Sequence, residues 1–159
     1  MPYQAVILTV SDSCAAGTRT DTSGPAIRAM LENAGFAVQA MQTVPDEEGQ
    51  ISAAIVHACD ILQADLVVTT GGTGLSPRDV TPEATLAVLD REIHAIPVAM
   101  WVEGLKSTPR AMLSRAVAGI RGHTLVLNVL GSEKAARENL GAVVATLDHA
   151  LRMLAGGGH

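Results

Sequence analysis

Between Gln4 and Val10 the chain runs Gln-Ala-Val-Ile-Leu-Thr-Val, an unbroken apolar and β-branched stretch bounded by Ser11-Asp12-Ser13. It is too short for a helix, and its lack of alternation predicts a strand buried on both faces. A small, polar loop follows from Ser11 to Ser23. Ser23-Gly24-Pro25 then offers an N-cap with proline in the first turn, ahead of a helix over Ala26 to Ala34 that stops at Gly35. Phe36 to Val44 predicts a second strand. From Glu47 to Gln63, Ile51, Ile55, Ala58 and Leu62 recur along one helical face, and the acidic start Asp46-Glu47-Glu48 suits that helix's dipole.

Leu66 to Thr70 predicts a third strand, the glycine-rich turn Gly71 to Gly74 follows, and another helix begins at Thr81-Pro82-Glu83. Thr124 to Val129 predicts a later strand and Gly131-Ser132 a turn. Glu133 to Leu154 predicts a closing helix, in one or two pieces around Gly141. Alternation of helices with doubly buried strands predicts an α/β fold: a three-layer αβα sandwich with a mostly parallel sheet, as a single domain over residues 1–155. Ligands of such a sheet bind at the carboxyl ends of its strands, where three Ser/Thr/Gly/Asp loops converge here. Residues 156–159, Gly-Gly-Gly-His, are expected to be a disordered tail or a cloning remnant.

Composition narrows the class. A chain of 159 residues, 48% apolar, is long enough for one self-sufficient core, with a folded surface of roughly 7,500 Å². Disorder and a membrane span are both excluded, since no apolar run approaches about 18 residues. Met1-Pro2-Tyr3-Gln4 has no basic region before its apolar run, which predicts a cytoplasmic protein without a secretory signal. Cys14 and Cys59 have no CxxC spacing and are expected to be reduced thiols. A net charge of −5 with Lys106 and Lys134 as the only lysines makes a poor nucleic-acid binder. His57, His94, His123 and His149 show no metal spacing. The aromatics Tyr3, Phe36 and Trp101 all lie outside the three loops, which disfavours a flavodoxin-like flavin site.

The densest chemical signal is Thr69-Thr70-Gly71-Gly72-Thr73-Gly74, continuing as Leu-Ser-Pro-Arg78-Asp79-Val-Thr81-Pro82-Glu83. Glycines after a strand let backbone approach a ligand and turn N–H groups toward an anion, and hydroxyls add donors. The loop is an oxyanion cradle or an ordinary tight turn, but neither a Walker loop nor a dinucleotide GxGxxG. Asp46 and Asp79 each follow a strand end, where carboxylates beside an anion cradle suit a Mg²⁺ ion bridging nucleotide phosphates. Their structural alternatives are a helix N-cap and an Asx-type turn. The loop from Asp12 to Asp21 adds hydroxyls and two more carboxylates to the same edge.

Val10-Ser11-Asp12, Asp21-Thr22-Ser23-Gly24-Pro25, Val44-Pro45-Asp46, the whole of Thr69 to Thr85, and Thr108 to Gly122 together resemble the MoaB/Mog family of molybdenum cofactor biosynthesis, whose relatives include the N-terminal domain of gephyrin. The resemblance implies a molybdopterin adenylyltransferase. The terminal phosphate of molybdopterin attacks the α-phosphate of ATP, giving adenylylated molybdopterin and pyrophosphate. It further implies that Asp46 and Asp79 are catalytic and hold Mg²⁺ through the phosphates. Gly71, Gly72, Thr73 and Gly74 would cradle pterin phosphate or nucleotide, with Asp12, Ser13 and Thr69 lining the pocket and the turn of Asn128, Gly131 and Ser132 closing it. The family's trimers imply a homotrimer. The alternative is a molybdopterin-binding or assembly-forming member with weak or no turnover; the nucleotide-processing domain of competence-damage proteins is a third possibility.

The chain departs from the family in two places. Where the family usually reads Asn-Leu-Pro-Gly-Ser-Pro, it has Asn128-Val129-Leu130-Gly131-Ser132-Glu133, which is expected to loosen that turn and set a carboxylate near an anionic substrate. It also has His94-Ala95 where Pro-Gly is usual, followed by an apolar helix. There Ile96, Pro97, Val98, Met100, Trp101, Val102 and Leu105 cover roughly 240° of the circumference, more than the ~100° one core requires. The surplus predicts contact with a second copy in the trimer, or a higher assembly through Ile96, Met100 and Trp101.

Overall fold

From Ala5 onward every residue of β1 (Gln4–Val10) is buried, and its side chains alternate between two cores: Ala5 and Ile7 enter one, Val6, Leu8 and Val10 the other. Two apolar faces explain the absence of sequence alternation. A computed structural model describes residues 1–158. In it β3 (Leu66–Thr70) and β6 (Thr124–Val129) are buried in the same manner, while β2 (Ala37–Val44) is a half-exposed edge. The helices α2 (Ser23–Asn33), α5 (Ala95–Leu105) and α6 (Glu133–Leu154) cover the first core with Ile27, Leu31, Met100, Leu140 and Leu147. On the opposite face α3 (Glu48–Val56) and α4 (Thr81–Leu86) contribute Ile51, Ile55 and Ala84. These are the three expected layers. The accessible surface, 7619 Å², agrees with that of a close-packed chain of this length.

Among the described residues six strands lie in the order β2-β1-β3-β6-β5-β4, where β4 is Arg91–Glu92 and β5 is Ala118–Arg121. β1 pairs in parallel with β2 and β3, and β3 with β6, whereas β5 runs antiparallel to both neighbours. After β1 the chain moves outward to β2 and then crosses back to β3. Strand order therefore reverses between β1 and β3, and a crevice opens at their carboxyl ends.

Local structure differs from expectation at several points. The Ser11 to Ser23 loop contains a single helical turn, α1 (Asp12–Ala15), capped by Ser11 Oγ, which accepts the Cys14 amide at 3.2 Å. Ser23 is the first residue of α2 rather than its cap, and the Asp21 carboxylate accepts the Gly24 amide at 3.0 Å in its place. α3 widens at its end into a π turn over His57–Ile61. α6 is continuous through Gly141, where an added Cβ would meet Met30 Cε of α2 at 3.8 Å, an ordinary contact. Beyond it, the Gly156 and Gly157 amides donate to Met153 and Arg152 carbonyls, both at 2.9 Å. His159, last of the expected tail, lies outside the described residues.

On α5 the apolar surplus divides. Met100 is 2% exposed within the chain's own core, so the expectation that it serves assembly is corrected: no partner can reach it. Ile96 is half-buried against the same core, while Val98, Val102 and Leu105 remain exposed.

Candidate active site

The β1–β3 crevice is a cavity of about 380 Å³. From β1 and the residue after it come Thr9, Val10 and Ser11; from β3 and its loop, Thr70, Gly71 and Gly72; from the loop after β2, Asp46. Asp79, the Arg19 to Ser23 stretch, Cys14, and the Gly131-Ser132 turn complete the wall. Of the residues singled out in the sequence, Asp46, Gly71, Gly72, Asp79, Gly131 and Ser132 line it directly.

Two of the glycines are required by geometry. Gly71 has φ +100°, and a Cβ there would strike the Val10 carbonyl of the neighbouring strand; Gly72 has φ +68°, and a Cβ there would strike Thr81 Oγ1. Both conformations exclude side chains. Their amides differ in use. The Gly71 N–H continues the sheet by donating to Val129 O at 3.2 Å, so it is not part of a cradle. The Gly72 N–H has no acceptor among the described residues. Thr81 Oγ1, buried beneath it, also has no hydrogen-bond partner.

The two carboxylates are held from one side only. Asp46 Oδ2 accepts the Asp12 amide at 2.9 Å, and Asp12 Oδ1 accepts the Asp46 amide at 2.9 Å, a reciprocal pair that locks the end of β2 to α1. Asp46 is thus not the cap of α3. Asp79 Oδ2 accepts the Ser76 amide at 3.1 Å, three residues back and so not the contact of the expected Asx-type turn, which runs two residues on. In each, the other oxygen, Oδ1, has no protein donor among the described residues. Burial pushes the Asp46 carboxyl above the usual aspartate range, and the Asp12 and Asp79 charges push the same way. Arg78 holds the Asp12 carboxyl below that range, donating from Nε at 3.1 Å and from Nη2 at 3.0 Å, and Nη2 also reaches Glu47 at 2.9 Å. One guanidinium therefore ties the glycine-rich loop, α1 and the start of α3 together.

Arg115 holds the loop from behind. Its Nε donates to Gly74 O at 2.8 Å and its Nη2 to Asp79 O at 2.7 Å, while Nη1 meets Glu83 at 2.6 Å. Sequence reasoning named neither Arg78 nor Arg115 as site residues, although both lie in the quoted motifs. Thr69, Thr73 and Asn128 lie beneath the cavity and not on its wall. All are at most 3% exposed, and the Asn128 amide nitrogen donates to Thr69 Oγ1 at 2.8 Å. Asp12 and Ser13 stand behind Asp46 on α1, and a Cβ at Gly74 would sit 2.9 Å from Asp79 Oδ2.

The Leu130 turn is firm, contrary to the expected loosening. Thr70 Oγ1 donates to Leu130 O at 2.8 Å, and the Leu130 amide, which a proline would lack, donates to Asn139 Oδ1 at 2.9 Å. Ser132 Oγ caps α6, and Glu133 pairs with Arg137 outside the cavity wall.

The family described as "Probable molybdopterin binding domain" matches residues 6–149. The chain is 40% identical over 149 residues to the molybdenum cofactor synthesis protein cinnamon of Drosophila melanogaster, covering 93% of this chain and 25% of that protein. It is 38% identical over 139 residues to the molybdopterin adenylyltransferase of Escherichia coli, covering 86% and 71% respectively. Among solved structures, the molybdopterin biosynthesis enzyme MoaB of Thermus thermophilus superposes with a TM-score of 0.92 at 49% identity, covering 97% of each chain. The chain spans between 22% and 50% of the length of the first curated relatives it matches.

Proposed function

The chain belongs to the family of molybdopterin-binding domains, and from that premise we propose that it is a molybdopterin adenylyltransferase of molybdenum cofactor biosynthesis, using ATP. A molybdopterin phosphate oxygen attacks the α-phosphorus of ATP, the bond to the β-bridging oxygen breaks, and pyrophosphate leaves. The observation that carries this reading is the pair Asp46 and Asp79: each lines one cavity at the strand-order reversal, and each retains an oxygen without a protein donor.

Those residues fit a Mg²⁺ ion. Hard carboxylate oxygens are its ligands, and one or two of them suffice when substrate phosphates complete the shell. The Asp46 carboxyl, raised first by burial and then by the Asp12 and Asp79 charges, is in the electrostatic situation that a divalent cation relieves. Among the described residues no group of three or more His, Cys, Asp and Glu side chains is placed to hold a metal alone, so Asp46 and Asp79 would hold the ion only with oxygens from substrate phosphates completing its shell. When bound, the cation neutralises phosphate charge and aligns the α-phosphorus.

The chain's own residues then position. Asp12 and Arg78 fix the Asp46 carboxylate, Arg115 fixes the Asp79 loop, and the Gly72 N–H donates to a phosphoryl oxygen. Such reactions depend on alignment and charge more than on covalent chemistry. The protein acts as a homotrimer in the cytoplasm. Exposed Val98, Val102 and Leu105 support the assembly, and no helix among the described residues is long and apolar enough to cross a membrane.

Incubation of the protein with molybdopterin, ATP and Mg²⁺, with pyrophosphate as readout, tests the reading. Release that is abolished in Asp79→Asn, with molybdopterin binding retained, supports it. Molybdopterin binding without release from the wild type replaces it with a binding role lacking turnover.

A further inference from the structure

Every charged group around the cavity has a holder except one. Asp21 is occupied on both oxygens: Oδ2 accepts the Thr9 hydroxyl at 2.7 Å, and Oδ1 accepts the Gly24 amide at 3.0 Å and the Ser23 hydroxyl at 3.4 Å. Arg78 is held by Asp12 and Glu47, and Arg115 by Glu83. Arg19, on the cavity wall in the α1–α2 connection, makes no hydrogen bond or ion pair among the described residues.

Its backbone is nonetheless fixed. The Thr18 amide and hydroxyl both donate to Ser13 O, at 3.0 and 3.1 Å, and the Gly17 amide donates to Cys14 O at 3.1 Å. The wall around it carries Asp21, Asp46 and Asp79, and among the described residues Arg19 is its only cationic side chain. Backbone donors and one divalent cation leave a polyanionic ligand facing that acidic wall undercompensated. A guanidinium on a short tether offers a planar fork that matches a phosphate's oxygens.

We infer that Arg19 is a phosphate-binding residue of this cavity, closing on a phosphoryl group of a bound substrate. The inference rests on the proposed function only in that the ligand carries phosphate. ATP and molybdopterin both supply that group, and the test separates them. The fold does not use this side chain, so its replacement leaves the thermal midpoint unchanged.

The test is calorimetric titration of wild type, Arg19→Ala and Arg19→Lys with inorganic pyrophosphate, then with Mg²⁺-ATP and with molybdopterin, alongside steady-state kinetics. Arg19→Ala is expected to bind pyrophosphate about tenfold more weakly, as loss of one charge-assisted fork predicts, with Lys recovering part of the loss. In turnover, KM for one substrate rises by a similar factor while kcat holds, and the substrate affected identifies the phosphate. Binding of all three ligands by Arg19→Ala within about twofold of wild type overturns the inference and leaves the adenylyltransferase reading intact. A wild type that shows no adenylyl transfer, yet loses pyrophosphate affinity on Arg19→Ala, supports the inference and removes the functional reading. A wild type that binds none of the three overturns both.

Discussion

Two concave regions of this chain are similar in size and opposite in construction. The cavity at the strand ends, about 380 Å³, is walled by hydroxyls, carboxylates and glycines whose polar atoms are mostly held by other elements. The groove beside α5, about 490 Å³, is walled by apolar Pro97, Val98, Trp101, Ala116 and Val117, with Glu92, His94, Ser114 and Arg115 as its polar positions. Each betrays its use by what it leaves undone. In the cavity the loose ends are Asp46 Oδ1, Asp79 Oδ1, the Gly72 N–H and Arg19, all suited to a metal-bound phosphate. In the groove they are exposed Val98 and the Trp101 indole N–H, buried without an acceptor among the described residues, while exposed Val102 lies on the same helix outside the groove's lining. The proposed function puts a phosphate-bearing ligand in the first and an apolar contact with a second copy over Val98 and Trp101 at the second. Arg115 touches both, since it walls the groove and holds the loop that carries Asp79.

The largest effect expected on this contrast is at Asp79. Asp79→Asn retains an oxygen to accept the Ser76 amide, so the loop survives while the charge is lost. Adenylyl transfer falls by on the order of 10³-fold, the scale of removing one preorganised electrostatic group, with molybdopterin affinity little changed. Steady-state pyrophosphate release beside equilibrium binding checks it. Next comes Gly71→Ala, which needs φ +100° and a Cβ against the Val10 carbonyl. It should cost about 3 kcal/mol in urea unfolding, because a strained backbone and a steric clash act together. Arg115→Ala should cost about 2 kcal/mol, since the Gly74 and Asp79 carbonyls lose a charged donor, and slow turnover about tenfold through a displaced loop. Arg115→Lys, which cannot fork, should recover only part of the rate.

How far this contrast was legible beforehand depends on whether a residue's role is local. Unbroken apolar runs announced β1, β3 and β6 because both faces of each strand are covered. β5 escaped notice because Ala-Gly-Ile-Arg has no apolar run and takes its register from β6 on one side and β4 on the other. Two-residue β4 is held by its pairing with β5. In the site, the glycine loop and both aspartates stood out, because their neighbours in sequence carry the signal. Their supports did not: the Asp12–Asp46 lock joins residues 34 apart, and Arg115 reaches Asp79 across 36. On α5, periodicity counted too many apolar positions for one core but could not assign Met100 to the inside and Val102 to the outside. That assignment depends on where α6 lies.

A smaller effect follows from the Asp46 carboxyl. Only its ionised form meets a cation, and burial with the Asp12 and Asp79 charges raises its pKa. The acid side of the kcat/KM profile should therefore fall at a pH above the ordinary aspartate range, and more Mg²⁺ should move that fall to lower pH, since metal and proton compete. The stability sign runs the other way. A carboxyl raised on folding favours the native state below its unfolded pKa, and that contribution is lost as pH rises through the folded value. Asp46→Asn should accordingly be no less stable than wild type at neutral pH while inactive, as thermal melts at several pH values would show. A clear loss of stability would mean that the Asp12 lock, not charge crowding, dominates there.

The smallest expected change in chemistry, and the sharpest separation of the two regions, is at Val102. It is 56% exposed, makes no contact with the cavity, and sits on the apolar face of α5 that the chain's own core leaves uncovered. Val102→Lys places a charge there at little cost to the monomer, because surface substitutions generally fall within about 0.5 kcal/mol. An interface at this face would have to desolvate the ammonium without a partner, so light scattering should show the assembly reduced toward monomer. If Arg115 only braces the Asp79 loop within its own subunit, kcat stays within about twofold of wild type in that monomer. A parallel loss of turnover and of assembly would instead make the groove part of the active site, with the contact at Trp101 holding Arg115 and, through it, Asp79 in place.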